Sequence, residues 1–323
     1  MKFDVKNATS YIFKDKKLGF KFLAVSLMIL FFLFFGLIRS YFISYLYFDN
    51  LEERMYLAVS NFAPKSLYSF LAFPNILPYS ITFDISQLSF GKMDLYRIGA
   101  IATLIVSFLA AAFPIGYFVQ NSHNRILYNN IDLPELKHWK DFFKTGLKFI
   151  AGVLLVSLPL LVVNLALMQF IISYCATQAD AYPDLAWLFM QARPFMVILS
   201  YLVISIILFF YLAVAVIPFL CSFKFNSFFK FRESFKMIFK NFKSYAKYTG
   251  FLILFNLILL VPVWLVAEFS KYQSEMMETS QLCVNLIGIG ILLPLVFWVV
   301  STTSDFQSQF AKSCLEKKEN KEI

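Results

Sequence analysis

The side chains able to do chemistry are sparse in this sequence and poorly spaced for it. Cys175, Cys221, Cys283 and Cys314 stand far apart. Without a C-x-x-C pair they offer neither a zinc site nor a thioredoxin-like couple. His123 and His138 lack the tight spacing of a metal pair. No glycine-rich phosphate loop, paired-carboxylate motif or H-E-x-x-H occurs. The expectation is a protein that is not an enzyme and has no metal or cofactor. What the sequence does concentrate is cationic and aromatic. Residues 228–247, FFKFRESFKMIFKNFKSYAK, hold six cations and six phenylalanines. At 100° per residue, Arg232, Lys236, Lys240, Lys243 and Lys247 share one arc of a helix. Phe228, Phe231, Phe235, Ile238, Phe239 and Phe242 gather on another. A basic stripe beside an aromatic face suits a helix lying among anionic lipid headgroups, or docked on a membrane-protein partner.

The elements that must position this stripe are apolar. The chain of 323 residues is 59% hydrophobic and only 15% charged, too little charge to cover a globular surface. Six runs reach the length of about 20 residues needed to cross a bilayer: 22–42, 98–119, 149–174, 194–221, 248–266 and 282–301. The formal net charge of +9 lies in segments flanking these runs, which argues against nucleic acid as the partner. Alternate segments, 1–21, 120–148, 222–247 and 302–323, carry 22 of the 29 cations. The positive-inside rule then places both termini in the cytoplasm of a plasma or inner membrane, with 43–95 outside. The expected architecture is an all-α membrane protein. A basic leader, 1–21, precedes a six-span domain, 22–301, and a charged cytoplasmic tail, 302–323, follows. The first span reads as a retained anchor, because no A-x-A cleavage site follows it.

Finer patterns add expectations. Ile12-Phe13-Lys14, Phe142-Phe143-Lys144 and Ile238-Phe239-Lys240 precede the first, third and fifth runs, and Pro114, Pro218 and Pro294 mark the second, fourth and sixth. This spacing predicts three helical hairpins, each led by an interfacial amphipathic segment. Pro159 and Pro262 interrupt the third and fifth runs. The alternation in 79–90 predicts a short strand hairpin in the outer loop. Within the runs the polar residues are weak: Asn164, Gln169, Asn256, Asn285 and Arg39. The asparagines are expected to hydrogen-bond between helices. Cys175 and Cys283 fall at the same end of their runs, where an oxidising compartment would permit a disulfide.

The stretch 116–148, GYFVQNSHNRILYNNIDLPELKHWKDFFKTGLK, carries the most specific pattern. Its Gly116-Tyr117, Asn121, Leu133-Pro134-Glu135, Trp139, Asp141, Phe142-Phe143 and Gly146-Leu147 resemble domain-of-unknown-function family 4013 of prokaryotic membrane proteins. In that family a span ends in G-Y, and an L-P-E-W turn leads into an acidic-aromatic helix start. Leu136 departs from the family's tryptophan. The resemblance extends over about 4–266, with 43–95 as an insertion. It implies a polytopic membrane protein and no particular activity or substrate. Physically, Leu133-Pro134-Glu135 reads as a helix start, and Trp139, Phe142 and Phe143 as headgroup-level rings. Gly116 reads as a place where a neighbouring backbone can come close.

Overall fold

The computed structural model describes residues 3–45, 95–128, 132–273 and 278–319, and among them every regular element is helical and none is a strand. The helices are α1 (Val5–Ser10), α2 (Leu18–Tyr45), α3 (Leu95–Leu127), α4 (Trp139–Ala181), α5 (Ala186–Ala215), α6 (Ile217–Ser222), α7 (Phe231–Lys240), α8 (Phe242–Gln273) and α9 (Glu278–Glu319). The 79–90 hairpin expected in the outer loop lies outside the described residues.

Among the described residues four stretches are long and apolar enough to cross a membrane: Leu18–Gly36, Ile98–Leu127, Leu136–Ala181 and Pro183–Ser222. The fifth and sixth apolar runs of the sequence fall on α8 and α9, helices of 32 and 42 residues. Large apolar side chains stay exposed along the outside of the bundle, among them Leu158 and Val162 on α4 and Leu202 and Ile206 on α5. A face of that extent is incompatible with water and natural against lipid.

Helix α3 is the hub of the bundle. It packs against α2, α4, α6 and α9, while α4 pairs with α5 and α8 with α9. The small residues Ala111, Ala112 and Gly116 make that possible, since they let neighbouring backbones come close. The prolines act unequally. Pro114, Pro159, Pro262 and Pro294 all lie inside continuous helices. Pro218 instead opens α6, just after α5 stops at Ala215. Its ring lacks the N–H that would bond back to Val214, so the chain restarts there.

Three expectations are corrected. The tripeptides read as a repeated element do not share a conformation: 12–14 is part of a 3-10 turn, 142–144 lies inside α4, and 238–240 ends α7. The charge expected to make 302–323 a tail does not leave residues 302–319 free. Helix α9 runs on to Glu319, and Thr302, Asp305, Phe306, Phe310 and Ala311 are buried in the bundle. Among the described residues Asn164 and Asn256 do not bridge helices: Asn256 donates to the Leu252 carbonyl of its own helix at 2.7 Å, and Asn164 reaches Met168 Sδ at 3.9 Å. The thiol of Cys175 is free and buried.

Candidate functional site

Helix α7 begins in an unusual bend. Helix α6 ends at Phe223 in the left-handed region, φ 51°, a costly conformation for a bulky residue. His123 holds it there, stacked on the Phe223 ring at 3.8 Å and hydrogen-bonded through Nδ1 to the Leu220 carbonyl. The chain then makes a 3-10 turn, Phe225–Phe229, that drives Phe228 into the bundle. Phe228 is fully buried, stacks on Phe219 at 4.5 Å and fills the space left by the missing side chain of Gly152. Phe228 is therefore an anchor and not part of the exposed aromatic face.

The single helix expected over 228–247 is two. Asn241, at φ −122° and ψ 31°, ends α7, and Phe242 opens α8. Asparagine is a weak helix former, and the Asn241 amide donates to Cys314 Sγ of α9 at 3.3 Å. The stripe survives on α7 itself. Phe231, Phe235 and Phe239 are exposed, Phe239 at 76%, and Arg232, Lys236 and Lys240 are exposed beside them. Ser234 is fully buried on the opposite side. Phe231 and Phe235 both lean on Tyr211 of α5, at 6.3 and 5.6 Å between ring centroids. Lys243, Lys247 and Phe242 are exposed as expected, but stand on the first turns of α8.

The residues of the 116–148 pattern come together at the base of α3 and α4. A Cβ on Gly116 would strike the Phe142 carbonyl oxygen, and a Cβ on Gly146 the Ala112 carbonyl oxygen. The two helices therefore cross with backbones in contact, reciprocally through the two glycines. Tyr117, wholly buried, meets Phe142 edge-on at 5.5 Å. Phe142 is itself only 1% exposed, so it packs in the core and is not a headgroup ring, whereas Trp139 is 55% exposed. The turn before α4 also differs from expectation. Glu135 precedes a 3-10 turn, Leu136–His138, and the α-helix starts at Trp139 with Asp141 in its first turn. Glu135 pairs with Lys137, whose hydrogen bond and charge hold its carboxyl below the usual range.

Leu133 is gripped by a pair that sequence reasoning missed. Its N–H donates to Asp15 Oδ2 at 3.0 Å, and its carbonyl accepts from Lys21 Nζ at 2.6 Å. Asp15 and Lys21 form a buried ion pair at 2.7 Å. Burial pushes the Asp15 carboxyl up. The Lys21 hydrogen bond and charge and the N–H groups of Lys17 and Leu133 outweigh it, leaving a lowered pKa.

A second missed cluster lies beneath. Tyr11, fully buried, donates to the Ser301 carbonyl at 3.1 Å and accepts from Asn121 Nδ2 at 2.7 Å. Arg125 lies over the Tyr11 ring at 3.9 Å and forms a buried ion pair with Asp305. Burial pushes the Tyr11 hydroxyl up to about 12, against the opposing pull of Arg125 and Asn121. Gln309 donates to Asp305 at 2.7 Å and accepts from the Asp4 N–H at 2.9 Å. Trp298 donates to the Thr9 carbonyl at 2.9 Å. The N-terminal segment is thus stitched to α3 and α9. One signal was readable: Ser301, Asp305 and Ser308 recur at helical spacing around Phe306 and Phe310, a buried face and not a tail.

Between α3, α8 and α9 a cavity of about 70 Å³ has a mainly apolar lining that includes Phe118 and Leu252, with Ser122, Tyr248, Asn256, Ser304 and Gln307 among its polar members. It has room for a few water molecules, at roughly 30 Å³ each. Among the described residues no group of three or more His, Cys, Asp and Glu could hold a metal ion.

Comparison with known proteins adds a family. No curated protein and no solved structure matches the chain. A family model described as "Protein of unknown function (DUF4013)" matches residues 99–267. That is narrower than the 4–266 expected from sequence, and it leaves the leader and α2 outside. It takes in the glycine crossing of α3 and α4, the Leu133 turn and all of α7, more than half of the 323 residues. The chain belongs to the DUF4013 family, proteins of unknown function built here on apolar helices long enough to span a membrane.

Proposed function

We propose that this protein is a six-span membrane protein of three helical hairpins, with both termini cytoplasmic, that organises anionic lipid at the cytoplasmic leaflet of a plasma or inner membrane. The role is non-enzymatic. Helix α7 is the working surface, an amphipathic helix in the headgroup plane with rings toward the acyl chains and cations against phosphate. The observation that carries this reading is the exposed row Phe231, Phe235 and Phe239 beside the exposed row Arg232, Lys236 and Lys240. Water would not stabilise that row of rings, whereas an interface accepts both rows. Each cation near an anionic leaflet contributes about 1 kcal/mol. Two further observations support it. Basic segments occupy every alternate connection. The segments around Tyr11, Leu133, Phe228 and Asp305 also pack together at one end of the bundle.

A transporter or permease component is the second reading. It draws on the cavity lined in part by Ser122, Asn256 and Gln307. At about 70 Å³ that space suits water or a small solute and excludes an amphipathic one, which is why the lipid reading is preferred.

The test is hydrogen–deuterium exchange of α7 in the full-length protein, reconstituted in nanodiscs of pure phosphatidylcholine or with added phosphatidylglycerol. Slower exchange is expected in the anionic discs, with the difference shrinking as salt is raised, since screening acts over about 8 Å at physiological ionic strength. R232Q/K236Q/K240Q should remove about 3 kcal/mol of that protection at low salt, at about 1 per charge. F235S/F239S should weaken protection in both lipids with little change in salt dependence, because apolar burial is lost. Equal exchange in neutral and anionic discs at low salt would defeat the proposal.

A further inference from the structure

A second basic feature, separate from α7, lies where the N-terminal segment meets the Leu133 turn. An open cleft of about 570 Å³ is bounded by residues 14–17 on one side and 132–138 on the other. That volume lies within the range of ligand pockets, about 300–1,000 Å³. Five lysines and three carboxylates line it, so the charge balance depends on which groups are already committed. Lys21 is held by Asp15 and the Leu133 carbonyl. Asp15 is occupied in return by Lys21 and by the N–H groups of Lys17 and Leu133. Glu135 and Lys137 neutralise each other, and His138 faces Asp141 at 3.8 Å. Asp132 also lines the cleft, so one carboxylate stands against the three lysines that remain. The side chains of Lys14, Lys16 and Lys17 are exposed and make no ion pair among the described residues.

The cleft is also built and not a chance gathering of surface lysines. Its floor is the Asp15–Lys21 pair, 6% and 5% exposed, which ties both walls together through Leu133. Outside it, Phe13 and Phe20 are 66% and 68% exposed. From Phe20 a row of exposed apolar side chains climbs α2 at helical spacing: Leu23, Leu27, Phe31 and Phe34. Three exposed lysines on a fixed floor thus stand just before the N-terminal end of this apolar row.

We infer that this cleft is a headgroup site for an anionic phospholipid, its phosphodiester held by Lys14, Lys16 and Lys17 and an acyl chain lying along the exposed row of α2. Basic pockets at the cytoplasmic end of membrane helices favour such headgroups. The apolar track selects a lipid over a free phosphate, because a soluble anion gains nothing from it. The inference rests on the reading that this end of the bundle faces the anionic leaflet, but it uses residues that the α7 proposal does not.

The experiment is photo-crosslinking in the full-length protein, purified in dodecyl maltoside, with phosphatidylglycerol carrying a diazirine in one acyl chain. The expected result is a crosslink mapped to residues 20–34. It should fall at least fivefold in K14Q/K16Q/K17Q and hold steady in R232Q/K236Q/K240Q. Diazirine phosphatidylcholine should crosslink there weakly and equally in all three proteins. An undiminished crosslink in K14Q/K16Q/K17Q would overturn the site. So would an equal loss in the α7 variant, which would assign the signal to overall charge. Abolition of the crosslink by micromolar glycerol phosphate would show recognition of the headgroup alone and overturn the lipid assignment. Because the crosslink reports on α2 and the exchange experiment on α7, failure of either is read separately.

Discussion

Arg125 and Asp305 are the side chains on which the packed end of the bundle turns. Their pairing brings α3 to α9 over 180 residues of sequence, and Tyr11 is pressed between them and Asn121. A buried charge stripped of its partner costs about 3–5 kcal/mol, whereas an apolar replacement of both partners is often neutral. Asp305→Asn should therefore lower thermal stability in detergent by several degrees, while R125M/D305L should recover most of the loss. Equal destabilisation by the single and double changes would contradict the pairing. None of these three residues was legible as functional in sequence. Tyr11 sits among lysines, Arg125 in a polar loop and Asp305 beyond the last apolar run. Composition assigns such segments to the surface, and only the long-range fold shows that they meet.

At the scale of elements, the crossing of α3 and α4 depends on two missing side chains. Gly116 and Gly146 each place their Cα against a backbone carbonyl of the other helix. An added methyl there must push two helices apart, costing about 1–3 kcal/mol. That exceeds the roughly 1 kcal/mol which alanine gains over glycine in a helix. G116A and G146A should each lower the unfolding temperature. Gly250 is the contrast, since a methyl added there would meet nothing within 4 Å: G250A should raise that temperature or leave it unchanged. The opposite order would refute the crossing. Here the sequence was informative. The long apolar runs correspond to helices, and Gly116 was readable as a point of close approach. The split between α7 and α8 was not, since the phase of the stripe runs on through Asn241 and only the backbone there breaks it. Phe228 was misread for a related reason. Periodicity assigns a face, but the left-handed Phe223 turn redirects the chain before that face begins.

At the scale of the molecule, the described residues form an apolar helical bundle with one heavily charged, aromatic-rich end. Within that end the charges divide by function. Arg125, Asp305, Lys21 and Asp15 are paired and buried, and hold the architecture. The cations of α7 and of residues 14–17 are exposed and free to meet a surface. The central claim is that this end rests in the headgroup layer with the α7 rings beneath the phosphates. The most direct measurement is the depth of two neighbouring positions on α7. Spin labels would be placed singly at F239C and K236C in the full-length protein, with the four native cysteines replaced, and reconstituted in anionic bilayers. Collision rates with oxygen and with a water-soluble nickel chelate would give their depth. The label at 239 should lie about 5–10 Å into the headgroup and acyl boundary, oxygen-accessible and shielded from nickel. The label at 236 should be reached by nickel. Equal and full nickel accessibility at both positions would contradict the account.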